Sequence, residues 1–203
     1  MKGRHTYTRR LIFALAIFCA LLAVAYFGLR NNIHTVIPGQ VYRSAQLNAP
    51  MFNQVIHQYK IKSIINLRGE NPSFPDYQAE INIAKQNHVQ HYDVRLNAYI
   101  LPQLAQFYLL IGVLQNAPRP ILIHCLNGAD RTGLASAIAL ELNGVDNLKQ
   151  IKQQFSLFYL VVSPNSVGKQ VFAFYENWLL KNNLSNSKEN FLRWAYSSNI
   201  FRG

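Results

Sequence analysis

One stretch of the chain carries the residue types needed for nucleophilic attack on a tetrahedral anion: HCLNGADRTG, residues 124–133. It follows a short apolar run, residues 120–124, that predicts a buried strand, and it leads into a helix pattern from about Arg131 to Leu142. The loop between them has the right size to curl around one anion with its backbone N–H groups pointing inwards. The helix would present its positive end to the same anion.

The side chains of this stretch divide into distinct chemical roles. Cys125 is the candidate nucleophile, because a thiol beside a helix N-terminus and a ring of amides loses its proton more easily. Arg131 offers a planar fork that can hold two phosphoryl oxygens at once. Thr132 is placed to donate its hydroxyl to the sulfur, and His124 to orient the loop through backbone hydrogen bonds. The backbone of the loop completes the anion site, through Leu126, Asn127, Gly128, Ala129, Asp130 and Arg131.

The elements that must position these groups follow an alternating order along the chain. Residues 61–67, 89–96 and 120–124 have the pattern of strands, and helix patterns cover 76–88, 102–115 and 131–142. Further helices are expected over 147–156, 166–181 and 188–197, while residues 41–45 are short and β-like. Alternating strands and helices predict a three-layer α/β domain with a central, mostly parallel sheet. Ligands of such folds bind at the carboxyl ends of the strands, where Cys125 is expected.

The 124–133 stretch resembles the Cys-x5-Arg signature loop of the protein tyrosine and dual-specificity phosphatase superfamily, with the flanking His and Thr in place. VYRSAQL (41–47), IKSIINLRGE (61–70) and APRPILIHC (117–125) are similar to compact bacterial dual-specificity phosphatases and to plant and fungal atypical phosphatases that act on inositol pyrophosphates. The resemblance covers roughly residues 41–144. It implies the phosphatase fold and hydrolysis of phosphomonoesters through a phosphocysteine, with no metal and no cofactor.

Two carboxylates are candidates for the general acid that protonates the leaving group. Asp93 lies 32 residues before Cys125, which resembles the acid-loop spacing of dual-specificity phosphatases. Asp130 lies inside the loop, as in myotubularin-type and Sac-type lipid phosphatases; its alternative role is to cap the helix. We place Asp130 slightly ahead and keep both. Arg68 is the first candidate for a further substrate contact, although for it, Arg43 and Arg95 a surface ion pair is the commoner role.

An uncharged apolar run, residues 11–29, precedes the domain. Nineteen residues form a helix of roughly 28 Å, close to the thickness of a bilayer core. The basic residues before it (Lys2, Arg4, Arg9, Arg10) predict a single-pass signal anchor with a cytoplasmic tail, residues 1–10, and a catalytic domain outside the cytoplasm. A cleaved signal peptide, cut after Ala23-Val24-Ala25, is the alternative. Residues 30–40 are then expected to be a linker and residues 41–203 the phosphatase domain.

Composition restricts the classes of partner that the chain is expected to bind. The net charge is +11, from 20 basic and 9 acidic residues, which suits an anionic substrate or an anionic membrane surface. A nucleic acid is not expected, because there is no recognition motif and no dense basic run.

The only cysteine besides Cys125 is Cys19, in the apolar run. One domain thiol argues against an arsenate reductase, and the spacing to Arg131 and Thr132 argues against a rhodanese-type sulfurtransferase.

The substrate stays open at the level of sequence. Phosphotyrosine or phosphoserine in a protein is the family's commonest substrate and the leading expectation. A phosphoinositide or other phospholipid headgroup is favoured by the apolar run and by Asp130. An inositol polyphosphate is favoured by the atypical-phosphatase resemblance. A non-catalytic phosphate-binding module at a membrane is the alternative from another class.

Overall fold

A five-stranded mixed sheet forms the middle layer of the computed structural model, which describes residues 13, 15–17, 30–197 and 200–201. The strands are β1 (His34–Ile37), β2 (Val41–Ser44), β3 (Ser63–Asn66), β4 (Gln90–Asp93) and β5 (Ile121–His124), in the order β1-β2-β5-β3-β4. Only β1 runs antiparallel to its neighbour. The last residues of the parallel strands are in register, so Ser44, Asn66, Asp93 and His124 lie along one edge. The site is built on that edge.

Helices cover both faces of the sheet. They are α1 (Ala49–Tyr59), α2 (Pro75–Gln86), α3 (Leu104–Asn116), α4 (Asp130–Leu142), α5 (Leu148–Lys152), α6 (Val167–Lys181) and α7 (Lys188–Ala195). Successive strand residues alternate between two buried clusters: Ile64 and Leu122 pack with α1, while Ile65 and Ile123 join the larger cluster with α3, α4, α6 and α7. This alternation is the period of two that a strand imposes. It confirms the predicted three-layer α/β arrangement.

Helix α4 lies in the larger cluster and is buried along almost its whole length, from Thr132 to Leu142. Such a helix has no solvated face, and this explains why its sequence lacks an amphipathic stripe. Gly133 lets it approach the backbone of Gln154, because a Cβ there would lie 2.9 Å from the Gln154 carbonyl oxygen. The first turn of α4, which carries Arg131, is therefore packed against the core from Thr132 onwards.

The predicted linker over residues 30–40 is wrong for most of its length. Residues 34–37 form β1, which pairs with β2 through a turn at Pro38-Gly39. The segment also reaches the loop after β5, since the Asn32 side-chain amide donates to the carbonyl oxygens of Asn127 and Gly128. Sequence missed this strand because HTVI is short and only partly buried, so it shows neither alternation nor a long apolar run.

The other predicted elements are present with shifted ends. The expected strand over 89–96 is paired only as Gln90–Asp93, and residues 94–97 continue as a loop. The expected helix over 147–156 is α5 followed by a 3₁₀ turn, Gln153–Phe155. The predicted tail (1–10) and most of the membrane segment (11–29) fall outside the described residues. In the part of the chain that the structure describes, no helix is long and apolar enough to cross a bilayer.

Candidate active site

The loop from Cys125 to Ala129 joins the end of β5 to the start of α4. Cys125 is 3% exposed, Leu126 and Asn127 are exposed, and Gly128 and Ala129 turn back into the core. Gly128 has φ of 64°, and a Cβ on it would lie 2.6 Å from the Ala45 nitrogen. No side chain fits that position, so the loop can close against β2 only with glycine here.

The surroundings of Cys125 favour its thiolate form. Burial alone would raise the pKa of this thiol, but the positive charge of Arg131 and the hydrogen-bond donors of Thr132 and Ala129 outweigh it and lower the pKa. The donors are the Thr132 hydroxyl and the backbone N–H groups of both residues. The Thr132 hydroxyl is buried and has no other partner among the described residues, which leaves it available to the sulfur. Cys125 thus has the environment of a reactive nucleophile rather than of a structural cysteine.

Arg131 lies in the first turn of α4 with its guanidinium at the mouth of the loop. Its Nη1 donates weakly to the Leu67 carbonyl, at 3.5 Å, and its Nε is buried without a partner among the described residues. It takes part in no ion pair within those residues. The fork is therefore positioned by the protein while its donors remain largely available to an anion.

A second arginine, Arg43, supports the loop from beneath. It is fully buried and donates to the carbonyl oxygen of Gly128 at 2.7 Å and to Oε1 of Gln154 at 2.7 Å. Its guanidinium also lies 4.0 Å from the centre of the Tyr159 ring. Burial lowers the pKa of Arg43 to about 10, which still leaves it cationic at neutral pH. The expected surface ion pair for Arg43 is wrong, because the side chain faces inwards from β2.

Asn32 holds the same loop from the side of the N-terminal segment. Its amide donates to the carbonyl oxygens of Asn127 and Gly128, both at 3.0 Å, and of Tyr159 at 3.2 Å. Two carbonyl groups of the loop, those of Asn127 and Gly128, are thereby engaged by the Asn32 amide. The same side chain ties the loop to Tyr159.

His124 is held by a buried carboxylate that the sequence did not reveal. Glu80, on α2, is 1% exposed, and its Oε1 accepts from Nε2 of His124 and Nε2 of His91, each at 2.8 Å. Its Oε2 accepts from Gln46 at 2.8 Å. Because an ionised carboxylate only accepts, both histidines must carry a proton on Nε2. Burial alone would raise the pKa of Glu80, but the charge interaction with His124 and these hydrogen bonds outweigh it and hold that pKa below its usual range.

The predicted backbone role of His124 is therefore only part of its arrangement. Its Nδ1 lies 3.4 Å from the Cys125 carbonyl oxygen, whereas the shorter contact is to Glu80. A chain of contacts runs from His124 through Glu80 and His91 to Asp93, whose Oδ2 lies 3.6 Å from Nδ1 of His91. We call these four residues the carboxylate–histidine chain. It links the strand of the nucleophile, β5, to the strand of a candidate acid, β4.

The two candidate acids lie in different surroundings. Asp93 ends β4, where its Oδ1 accepts from Asn66 at 2.8 Å and its Oδ2 from the Tyr77 hydroxyl at 2.7 Å. Asp130 is the first residue of α4, and its Oδ1 is buried without a hydrogen-bond partner among the described residues. Both oxygens of Asp93 are thus engaged by the protein, whereas Asp130 directly follows the loop and has an uncommitted Oδ1 among the described residues.

A polar cavity of about 290 Å³ opens at this edge of the sheet. Its wall includes Arg131 together with Arg68 and Arg95. Arg68 donates to the side-chain oxygen of Gln46 at 2.9 Å, and Arg95 donates to the carbonyl oxygen of Glu70 at 2.7 Å. Neither makes the surface ion pair expected for it within the described residues. Arg68 therefore lines the same cavity as Arg131, and its contact with the substrate stays a prediction.

Comparison with known proteins gives a family and a fold. A family model described as the tyrosine phosphatase family matches residues 28–195. Among curated proteins, none matches the chain. The catalytic core of the PP-IP phosphatase SIW14 from S. cerevisiae, solved with citrate, is 25% identical over 75% of this chain and 93% of its own, with a TM-score of 0.59. TpbA from P. aeruginosa is 22% identical over 64% of this chain and 75% of its own, with a TM-score of 0.51.

Proposed function

The chain belongs to the tyrosine phosphatase family and is a cysteine-dependent phosphatase, and from that premise we propose that it hydrolyses phosphomonoesters through a phosphocysteine at Cys125. The observation that carries this proposal is the buried Cys125 thiol, whose pKa is lowered against the effect of burial by Arg131 and the loop donors. A structural cysteine in an apolar core would have its pKa raised instead.

The reaction would proceed in two displacements. The Cys125 thiolate attacks phosphorus, an S–P bond forms, and the P–O bond to the leaving group breaks as that oxygen takes a proton from the general acid. Water, deprotonated by the same carboxylate, then attacks the phosphocysteine and releases inorganic phosphate and the thiolate. Arg131 holds two of the nonbridging oxygens through both steps, and the loop amides neutralise charge on the third. The Thr132 hydroxyl stabilises the departing sulfur.

We assign the acid to Asp130 because its Oδ1 is uncommitted, whereas both oxygens of Asp93 accept from protein donors. Asp93 would then act through the carboxylate–histidine chain as a positioning residue. Asp→Asn variants at the two positions separate these roles by leaving-group dependence. The acid variant loses kcat/KM, which reports the first displacement, for an alkyl phosphate and retains it for p-nitrophenyl phosphate, whose leaving group needs no proton.

The preferred substrate would carry a second anionic group beside the phosphoryl group that is cleaved. Arg68 and Arg95 line the same cavity as Arg131 without a carboxylate partner among the described residues. Grouped, uncompensated guanidinium groups are costly unless an anion joins them. An inositol polyphosphate or a phosphoinositide headgroup meets this requirement, and the similar SIW14 is a PP-IP phosphatase. We therefore place this class ahead of phosphoproteins, which led on sequence alone.

Protein phosphotyrosine is the second candidate, because Phe74, Tyr77 and Leu126 also line the cavity and could contact an aromatic ring. Assays with an inositol polyphosphate, a phosphoinositide in vesicles and a phosphotyrosine peptide compare the classes directly. Arg68→Met and Arg95→Met should each raise KM for a polyphosphorylated substrate about tenfold and leave KM for the peptide nearly unchanged. Equal effects on both substrates would contradict the second anion site.

The catalytic proposal itself rests on one variant. Cys125→Ser should abolish turnover in the presence of a metal chelator or added Mg²⁺, while vanadate or phosphate still binds the loop. Activity that survives this substitution and needs a metal would exclude the phosphocysteine route. A wild-type chain that binds phosphate and turns over none of the substrates would instead be a binding module.

We also propose that residues 11–29 anchor the chain, with residues 1–10 in the cytoplasm and the catalytic domain on the other side of the membrane. The proposal is supported by the uncharged run and by the basic residues that precede it. Reporter fusions on either side of the run test the orientation. A mature chain that lacks these residues would favour the cleaved signal peptide.

A further inference from the structure

Three large apolar side chains stand in solvent on one short segment after the Gln153–Phe155 turn. Leu157, Phe158 and Val162 are 71%, 69% and 75% exposed, and we call them the apolar rim. Single exposed apolar residues are ordinary, but three within six positions form a patch of the kind that marks an interaction surface. The rim has no catalytic role in the mechanism above.

The rim adjoins the catalytic loop. Tyr159 lies between the members of the rim, and its ring contacts the guanidinium of Arg43. Its carbonyl oxygen accepts a hydrogen bond from Asn32, whose amide also donates to Gly128. Phe158 packs against His34 of β1 with 4.9 Å between ring centres. The rim is therefore fixed to the same residues that hold the catalytic loop, rather than to a remote lobe.

Further exposed apolar side chains lie on two other loops. Tyr99 and Ile100 are 55% and 64% exposed on the loop that follows β4. Gln170 joins that loop to the segment after Val162, because its amide donates to the carbonyl oxygens of Tyr99 and Asn165. Leu126, in the catalytic loop itself, is 50% exposed. Of these exposed residues, Leu126 also lines the cavity of Arg131.

The short distance along the chain between the uncharged run and the catalytic loop indicates what these side chains face. The uncharged run ends at Leu29, and Asn32, three residues later, is buried against the catalytic loop. Three residues span at most about 10 Å. A bilayer that holds the run would therefore lie within that distance of the loop, with no linker to separate them. Phe13, Leu15 and Ile17, described residues of the run, are helical and 69%, 61% and 46% exposed.

Charge is compatible with an anionic lipid surface. Residues 94–129 and 147–175, which carry the catalytic loop, the rim and Tyr99, contain no aspartate or glutamate, whereas they include Arg95, Lys149 and Lys169. A fourth cation, Lys152, is paired with Glu176. Anionic headgroups attract such segments and repel segments rich in carboxylates. The combination of exposed apolar residues and cations is that of an interfacial membrane contact.

We propose that the apolar rim inserts into the headgroup region of the bilayer that holds residues 11–29, which places the loop that carries Cys125 close to that bilayer. The occupant of the rim is a phospholipid bilayer with anionic lipids. The proposal rests on the proposed anchor and goes beyond the phosphatase assignment, which needs no such contact.

Depth-dependent quenching in vesicles tests the insertion. The full chain, as Phe158→Trp or Val162→Trp, is reconstituted into vesicles of phosphatidylcholine and phosphatidylglycerol, with brominated lipids as quenchers. The matched control is Leu180→Trp; Leu180 is 79% exposed and lies 13 residues beyond the start of α6, about 20 Å along the helix. The unsubstituted chain gives the background of Trp178 and Trp194.

The proposal expects emission from the tryptophan introduced by Phe158→Trp or Val162→Trp to shift to the blue and to fall at least twofold with brominated lipid. Emission from the tryptophan introduced by the Leu180→Trp control should stay within a few per cent of its value in unbrominated vesicles. Rim tryptophans that are no more quenched than the control tryptophan would overturn the proposal. That result is also the one expected if the rim binds a protein instead of a bilayer. The readout needs no turnover, so it can be repeated with Cys125→Ser. Failure of the phosphatase proposal and failure of the membrane contact are thereby distinguished.

Discussion

Replacement of Glu80 by glutamine tests whether the carboxylate–histidine chain sets up the nucleophile. In the native protein the Glu80 carboxylate accepts three hydrogen bonds, from His124, His91 and Gln46. In Glu80→Gln, the side-chain carbonyl oxygen can still accept from the two histidines. The new NH₂ group faces the NH₂ group of Gln46, which has lost its acceptor. Two charge-assisted bonds thus become neutral bonds, and a third is lost.

The magnitude follows from those three contacts. Each neutralised bond loses about 1 kcal/mol, and the facing amide groups cost about another 1 kcal/mol. Relief of the desolvation of a buried carboxylate offsets part of this loss. The expected net fall in unfolding free energy at neutral pH is on the order of 1–3 kcal/mol. If His124 loses its fixed orientation, kcat should fall about tenfold, equivalent to roughly 1.4 kcal/mol of barrier.

The sign of the pH dependence separates this effect from general damage. Because the pKa of Glu80 is held below its usual range, its stabilisation is complete above about pH 4.5 and is lost as pH falls further. Urea unfolding should therefore show a gap between wild type and Glu80→Gln at pH 7 that narrows below about pH 4.5. The rate of Cys125 alkylation against pH should shift to higher pH in the variant, which a purely structural role would not cause.

Glu141→Gln is the matched control, since Glu141 is also buried but lies at the far end of α4. It should leave kcat and the alkylation profile unchanged. A Glu80→Gln variant with wild-type kcat, alkylation profile and urea midpoint would refute the proposed role of the chain.

Three other predictions address the site and the core. Gly128→Ala should lower kcat at least tenfold, because the new Cβ would meet the Ser44 and Ala45 backbone at 2.6 Å; wild-type kinetics would contradict the tight closure of the loop. Asp130→Asn should lower kcat/KM for alkyl phosphates about a hundredfold more than kcat/KM for p-nitrophenyl phosphate, and Asp93→Asn should not; the reverse result would exchange their roles. Burial raises the pKa of Glu141 to about 8, so wild-type stability in urea should fall by up to about 1.4 kcal/mol per unit as pH rises from about 4.5 to 8. Glu141→Gln should flatten that slope, and an unchanged slope would place the titration elsewhere.

The strand, loop and helix start of the candidate site were predicted from sequence because they are local. The residues from His124 to Thr132 lie in one strand end, one loop and one helix start. The conformation of such a short segment is set mainly by its own residues, such as Gly128, and by the strand and helix that flank it. The three-layer arrangement was readable because buried strands and helices differ in period and length. Membership of the family was predicted from the same stretch and is confirmed.

The supports of the site were not readable because they are contacts between distant segments. Glu80 on α2 resembles any solvated helix glutamate until the fold places it 2.8 Å from His124. Arg43 and Asn32 lie in short segments whose composition suits a surface, yet they bind the loop around Gly128. Only the register of β2 with β5 turns Arg43 inwards.

The most direct test of the account is the identity of the phosphorylated residue during turnover. Wild-type protein mixed with substrate and quenched in acid should carry one phosphoryl group, and peptide mapping should place it on Cys125. The adduct should persist longer in Asp130→Asn, where hydrolysis lacks its base, and should be absent from Cys125→Ser. A phosphoryl group on another residue, or full turnover by Cys125→Ser, would contradict the assignment of Cys125 as the nucleophile.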